Sequence, residues 1–307
     1  VSIIFCILSV FLMGCVNHIN YFLFLRFVHG VFSAFVLILG TSIILPYIQE
    51  YGKIYLSTAH FSGVGLGMVF SALVVSILGS FGFKWYELWF SIGILSTILF
   101  VQIILFTPNE KEIFSKNKDN KTPSILGFAL ISTSYSLYGF GYVAFGTFIS
   151  TIARTTPILQ ATETYIWGIV GACGIPSVFI WNFFGQRIGN DIALFIASLL
   201  MGIGIILSVT INNPFIFILS AFIFGITFVP ITSMSLLEGQ KRFSGTFIVS
   251  TAILTSCFSI GQMIGPYIAG FITDLTGSFI TSMQLSGFTV IFGSFLMINP
   301  KRLIIIK

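Results

Sequence analysis

The sequence predicts an all-α polytopic membrane protein. Three observations lead there: scarce charge, long apolar runs, and basic residues confined to the breaks between those runs. Of 307 residues, 56% are apolar, 16% aromatic and 7% charged, with a mean hydropathy of +1.04. A soluble domain carries roughly 25% charged residues. The 14 basic and 9 acidic side chains here cannot cover a water-facing surface of this length. In lipid, only helices and closed barrels satisfy their own backbone. Barrel strands alternate in polarity over about ten residues. These runs stay apolar for about twenty, the length a spanning helix needs.

Ten spans follow in order, each bounded by turn or charge signals. The run 1–16 ends at Asn17-His18, and 20–47 ends in the break from Pro46 to Ser57. The run 59–80 is closed by Gly79 to Lys84, and 86–106 by the polar stretch that begins at Pro108. After that stretch come 124–150, ended before Thr155 to Thr164, and 165–184, ended by Gly185 to Asn190. The run 190–211 stops at Asn212-Asn213-Pro214, and 214–237 at Glu238 to Gly245. The last two, 246–271 and 279–298, are parted by Asp274 to Ser278.

The breaks carry the topology. Lys53, Lys111, Lys116, Lys118, Lys121, Arg187, Lys241, Arg242, Lys301, Arg302 and Lys307 fall on one side of a ten-span path; Lys84 and Arg154 fall on the other. Basic residues stay cytoplasmic, so the C-terminus is expected inside. The net charge of +5 therefore writes topology and not a nucleic-acid face. Cys6, Cys15, Cys173 and Cys257 stand singly in apolar runs, as packing residues do, and no metal or disulfide pattern is present. Asn120-Lys121-Thr122 matches a glycosylation sequon by so short a pattern that it carries little. No cleavable signal peptide is visible.

An offset of 195 residues lays Asn17 on Asn212, Gly30 on Gly225 and Gly82 on Gly277, and superposes four spans on four spans. Under it, the spans 124–150 and 165–184 have no counterparts. The expected plan is six plus six helices with the first two absent. It comprises an incomplete bundle over 1–107, a cytoplasmic linker over 108–123 and a six-span bundle with a short tail over 124–307.

Several stretches then carry a family resemblance. Leu25-Arg26-Phe27-Val28-His29-Gly30, continuing to Ser33-Ala34, has an R-x-x-x-G pattern followed by small residues. His60-Phe61-Ser62-Gly63-Val64-Gly65-Leu66-Gly67 is a second stretch. Gly261-Gln262-Met263-Ile264-Gly265-Pro266 reads G-x-x-x-G-P and leads to Gly270 and Asp274. Gly139-Phe140-Gly141-Tyr142 and Ala153-Arg154 complete the set. Together they resemble the major facilitator superfamily, in its YbfB/YjiJ-type branch of bacterial transporters. One departure stands out. Where the family loop reads G-x-x-x-D-R-x-G-R, this chain has Gly185-Gln186-Arg187-Ile188-Gly189-Asn190, so Arg187 and Gly189 match while Gln186 replaces the acid.

The residues themselves offer candidates for a polar site. Arg26, His29, Gly30 and Ser33 share one helix face. Arg26, a cation within a span, either faces a cavity or snorkels to the interface. His29 is either a proton-coupling group or a satisfied packing residue. Tyr135, Tyr138 and Tyr142, at i, i+3 and i+7, form an aromatic stripe suited to an organic solute, or else packing with an interfacial belt. Thr251, Thr255, Ser259, Gln262 and Pro266 form a polar stripe. Gln262 is its better candidate for a contact, since Ser and Thr can satisfy themselves on their own helix. Gly63 and Gly67, with Ser71 and again Gly261 and Gly265, suit close sliding contacts between helices. Their glycines follow no strand, which excludes a nucleotide loop.

The resemblance implies a secondary-active transporter of a small organic solute by alternating access, with protons as the candidate coupling ion. It implies a monomer in the bacterial cytoplasmic membrane, with no cofactor, catalytic residue, metal or nucleic-acid partner. An enzyme would need convergent acid, base or ligand groups, and three scattered histidines with no mid-span carboxylate do not supply them. A truncated, inactive remnant and a channel are the remaining alternatives.

Overall fold

The computed structural model describes residues 1–50, 55–106, 124–243 and 245–298. Within them the chain is helical throughout. The α-helices are α1 (Ser2–Cys15), α2 (Ile19–Glu50), α3 (Tyr55–Ser80), α4 (Trp85–Phe106), α5 (Ile125–Thr155), α6 (Ile166–Ile188), α7 (Asn190–Thr210), α8 (Pro214–Arg242), α9 (Phe247–Thr276) and α10 (Phe279–Met297). They fall on the ten expected spans in order. Nine are long and apolar enough to cross a membrane; α1, with 14 residues, is shorter. The linker expected at 108–123 and the charges Lys53, Lys301, Arg302 and Lys307 lie outside the described residues.

The turn chemistry explains the boundaries. Ser124, Asn213, Thr246 and Ser278 each cap a helix start with a side-chain oxygen, and Pro214 occupies the first turn of α8, as it can without losing a bond. Gly82 and Gly277, the pair superposed by the 195-residue offset, both adopt positive φ, at 82° and 67°. After α3, the Phe83 N–H donates to Leu78 O at 3.2 Å and the Gly82 N–H to Gly79 O at 3.0 Å. This is the reciprocal helix-ending pair that needs a left-handed residue. Between α5 and α6 the sequence showed only a break. There a short 3-10 helix, Pro157–Thr162, is tied back by an Arg154–Glu163 ion pair.

By mutual packing the chain forms two compact units. The first comprises α1, α2, α3 from Phe70 onward, and α4. The second comprises α3 as far as Val69 together with α5 to α10. In the first unit α1 packs on α2 and α4, with Phe5 stacked on Phe32 at 4.3 Å and Phe11 against Gly93. In the second, α5 packs on α9 and α10, α7 on α8 and α10, and α6 on α8. Ile131, Phe145, Leu194, Met201 and Phe217 form its enclosed core. Large apolar side chains such as Phe27, Leu105 and Tyr267 are instead exposed, the pattern of a protein solvated by lipid.

Candidate transport site

The second unit is organised around a helix that cannot satisfy its own backbone. Pro230 lies inside α8 and has no N–H, so the carbonyl of Ile226 loses its helical donor. The indole of Trp181 on α6 supplies one, with Nε1 donating to Ile226 O at 2.9 Å. One half-turn on, the Tyr138 hydroxyl of α5 donates to Phe228 O at 2.8 Å, and the Thr232 hydroxyl reaches the same oxygen at 3.3 Å. Trp181 therefore completes the backbone of α8, and Tyr138 adds a second hydrogen bond to a carbonyl beside the break.

Around this point the tyrosine stripe assembles an aromatic slab. Tyr135 stacks on Tyr138 at 5.7 Å, and Tyr138 on Tyr142 at 5.4 Å. Tyr142 stacks on Phe224 at 5.4 Å and Phe228 at 5.8 Å, and Phe258 of α9 covers Tyr135 at 4.7 Å. Tyr135 and Tyr138 are 1% exposed, while Tyr142 is half-buried. Tyr138 and Thr232 thus meet at one acceptor, the Phe228 carbonyl.

Beside the slab, α9 crosses α5 at backbone distance. A Cβ on Gly261 would fall onto Ser136 O and within 2.8 Å of the Phe140 nitrogen; one on Gly265 would fall onto the Phe140 carbonyl. Gln262 and Pro266, on the same stretch, are half-buried. Toward the start of α5 from this crossing a groove of about 470 Å³ opens between α5 and α9, lined by Phe128, Ser132, Thr133, Ser136, Cys257 and Ile260.

The other sequence candidates are placed as follows. In the first unit, the Arg26 guanidinium stands over the rings of Phe22 and Trp89, at 5.6 and 5.2 Å. His29 Nδ1 lies 2.8 Å from Ser9 Oγ. That hydroxyl also lies 2.7 Å from Cys6 O, so it joins the ring to the backbone of α1. Arg187 stacks on Phe183 at 4.2 Å, and Gly189 has φ 98°. Gly30, Gly63 and Gly67 have no described atom within 4 Å of a Cβ position. In α3 the tight contact is at Gly65, where a Cβ would come within 2.7 Å of Ile175 N on α6.

One group went unrecognised in the sequence. Glu238 and Arg242, read only as loop charges, are 7% and 5% exposed. Arg242 donates to Glu238 at 3.2 Å, to Met297 O at 2.9 Å and to Gly127 O at 3.4 Å, and Lys241 donates to the second carboxylate oxygen at 3.1 Å. Among the described residues, no group of three His, Cys, Asp or Glu side chains is arranged to hold a metal ion.

The family described as "Uncharacterised MFS-type transporter YbfB" matches residues 1–298. The chain belongs to this family. As an MFS-type transporter it is an integral membrane protein of a non-enzymatic class. Its fold is similar to that of the Escherichia coli fucose:proton symporter, with a TM-score of 0.64 and 14% identity, covering 96% of this chain and 81% of that one. A stretch of 58 residues, 19% of the chain, is 36% identical to human monocarboxylate transporter 11. That match spans 12% of the relative's length.

Proposed function

We propose that this MFS-type transporter is secondary-active and moves a small organic solute across the bacterial cytoplasmic membrane by alternating access, as a monomer with its C-terminal end in the cytoplasm. What supports this is the construction of the second unit. Its helices are joined by backbone-close glycine crossings and by side-chain bonds to the α8 backbone, so that it can move as one body. Alternating access requires such bodies. The regions 1–107 and 124–307 act as the two bundles, joined through 108–123.

In this reading Tyr142 and Gln262 are the solute contacts of the second unit, and Tyr135 and Tyr138 stiffen the wall behind them. Within the first unit, Arg26 is a candidate contact for an anionic group and His29 for proton coupling. The relatives' names set the first panel to assay: monocarboxylates and deoxy-sugars, with an imposed proton gradient. Purified protein in proteoliposomes is expected to concentrate one of these above its external level. Equilibration without accumulation would indicate a channel, and absence of any flux a non-transporting remnant. Arg26→Ala leaving uptake intact would remove that residue from the site.

A further inference from the structure

Inside a helix in lipid, a serine or threonine hydroxyl ordinarily returns to its own backbone. Ser132, Ser220, Thr227, Ser256, Ser259 and Ser286 do so, each donating to the carbonyl four residues back at 2.6 to 2.9 Å. Four enclosed hydroxyls depart from this. Ser235 on α8 and Ser250, Thr251 and Thr255 on α9 are 0%, 1%, 1% and 6% exposed. None has a hydrogen-bond partner among the described residues. A buried hydroxyl left unpaired is costly, so four of them need an explanation.

They fall along one stretch of the α8/α9 pair. The consecutive spans α8 and α9 run antiparallel, with Leu254 seated against Gly239. Ser235 lies one turn before Gly239 on the same face. Ser250 and Thr251 lie one turn before Leu254, and Thr255 one turn beyond Thr251. At 1.5 Å per residue, the four fall within about 12 Å of seam. One turn from Ser235, the Thr232 hydroxyl reaches Phe228 O, the carbonyl that also accepts from Tyr138.

We propose that the α8/α9 seam binds a short file of ordered water molecules. Hydroxyls both donate and accept, which suits a buried water that needs two to four polar partners. The four groups are neutral, so they offer a cation no compensating charge. The nearest carboxylate, Glu238, is already held by Arg242 and Lys241. Water between two helices exchanges partners without breaking a fixed contact, and so permits α8 and α9 to shift against each other.

The test is hydroxyl-radical labelling by water radiolysis of the full chain in nanodiscs, where buried side chains react only if water is beside them. Leu254 and Phe258, 0% and 9% exposed, flank the seam; Leu194 and Phe217, 0% and 1% exposed, are enclosed elsewhere. Leu254 and Phe258 are expected to be modified several-fold faster than the other two. The variant carrying Ser235→Ala, Thr251→Val and Thr255→Val is expected to lose that difference and to melt lower, and Thr251→Ser with Thr255→Ser to retain it. Equal labelling in the unmodified chain would overturn the proposal, and that measurement stands even if the triple variant does not fold. So would a higher melting temperature of the triple variant, since deleting unpaired hydroxyls stabilises a dry seam. A melting temperature of the unmodified chain higher in Na⁺ than in choline would replace water by a cation.

Discussion

Ile226 carries a carbonyl that α8 cannot serve, and the energetic weight of Trp181 follows from that single fact. Trp181→Phe keeps an aromatic ring but removes the donor, and is expected to destabilise by about 1–3 kcal/mol, the cost of a buried unpaired acceptor. Tyr138→Phe should cost less, about 0.5–1.5 kcal/mol, because Phe228 O keeps Thr232. Thermal melts in detergent order the two. Pro230→Ala restores an N–H to Ile226 O, so Trp181→Phe made in that background should cost measurably less than in the parent, a coupling that a double-mutant cycle reads directly. The tyrosine stripe was legible in the sequence because i, i+3 and i+7 must share a face whatever surrounds them. Trp181 was not, since its role exists only where the Ile226 carbonyl, 45 residues on and freed by Pro230, comes to lie beside it.

Glycines at helical spacing occur on both α3 and α9, and the sequence treats them alike. Packing separates them. Gly261→Ala and Gly265→Ala would drive a methyl into the α5 backbone, with an expected loss of about 1–3 kcal/mol. Gly63→Ala and Gly67→Ala meet no described atom and gain helix propensity, so they should be neutral or stabilising by up to about 1 kcal/mol. Unfolding in graded denaturing detergent checks the contrast. The partner backbone, not the pattern, makes a glycine necessary, which is also why Gly65 went unnoticed between two more regular neighbours. Arg242 works at the same scale, tying the ends of α5, α8 and α10. Arg242→Met should cost about 1–3 kcal/mol, because Glu238 keeps only Lys241 and the Met297 and Gly127 carbonyls lose a donor; Glu238→Leu added to it should recover part of that loss, since it removes the buried charge. Its burial was invisible in a sequence that shows Lys241 and Arg242 as adjacent basic residues at a span end.

For the molecule as a whole, span order was the most legible property, because hydropathy over about twenty residues is decided by lipid and not by neighbours. The sidedness drawn from basic residues is checked by reporters. Green fluorescent protein joined after Ile298 should fluoresce, and alkaline phosphatase inserted near Gln160 should be active, if the C-terminal end is cytoplasmic. What sequence could not supply was the completion of one helix by another, and that has a consequence for biosynthesis. The donor that completes α8, Trp181, sits on α6, which leaves the ribosome earlier. When α8 partitions into the bilayer, the group that relieves its unsatisfied backbone already waits there. A circular permutant that delivers α8 ahead of α5 and α6 would have to expose Ile226 O to lipid alone. It is expected to insert less efficiently in a glycosylation-mapping assay, and Pro230→Ala to restore much of that insertion.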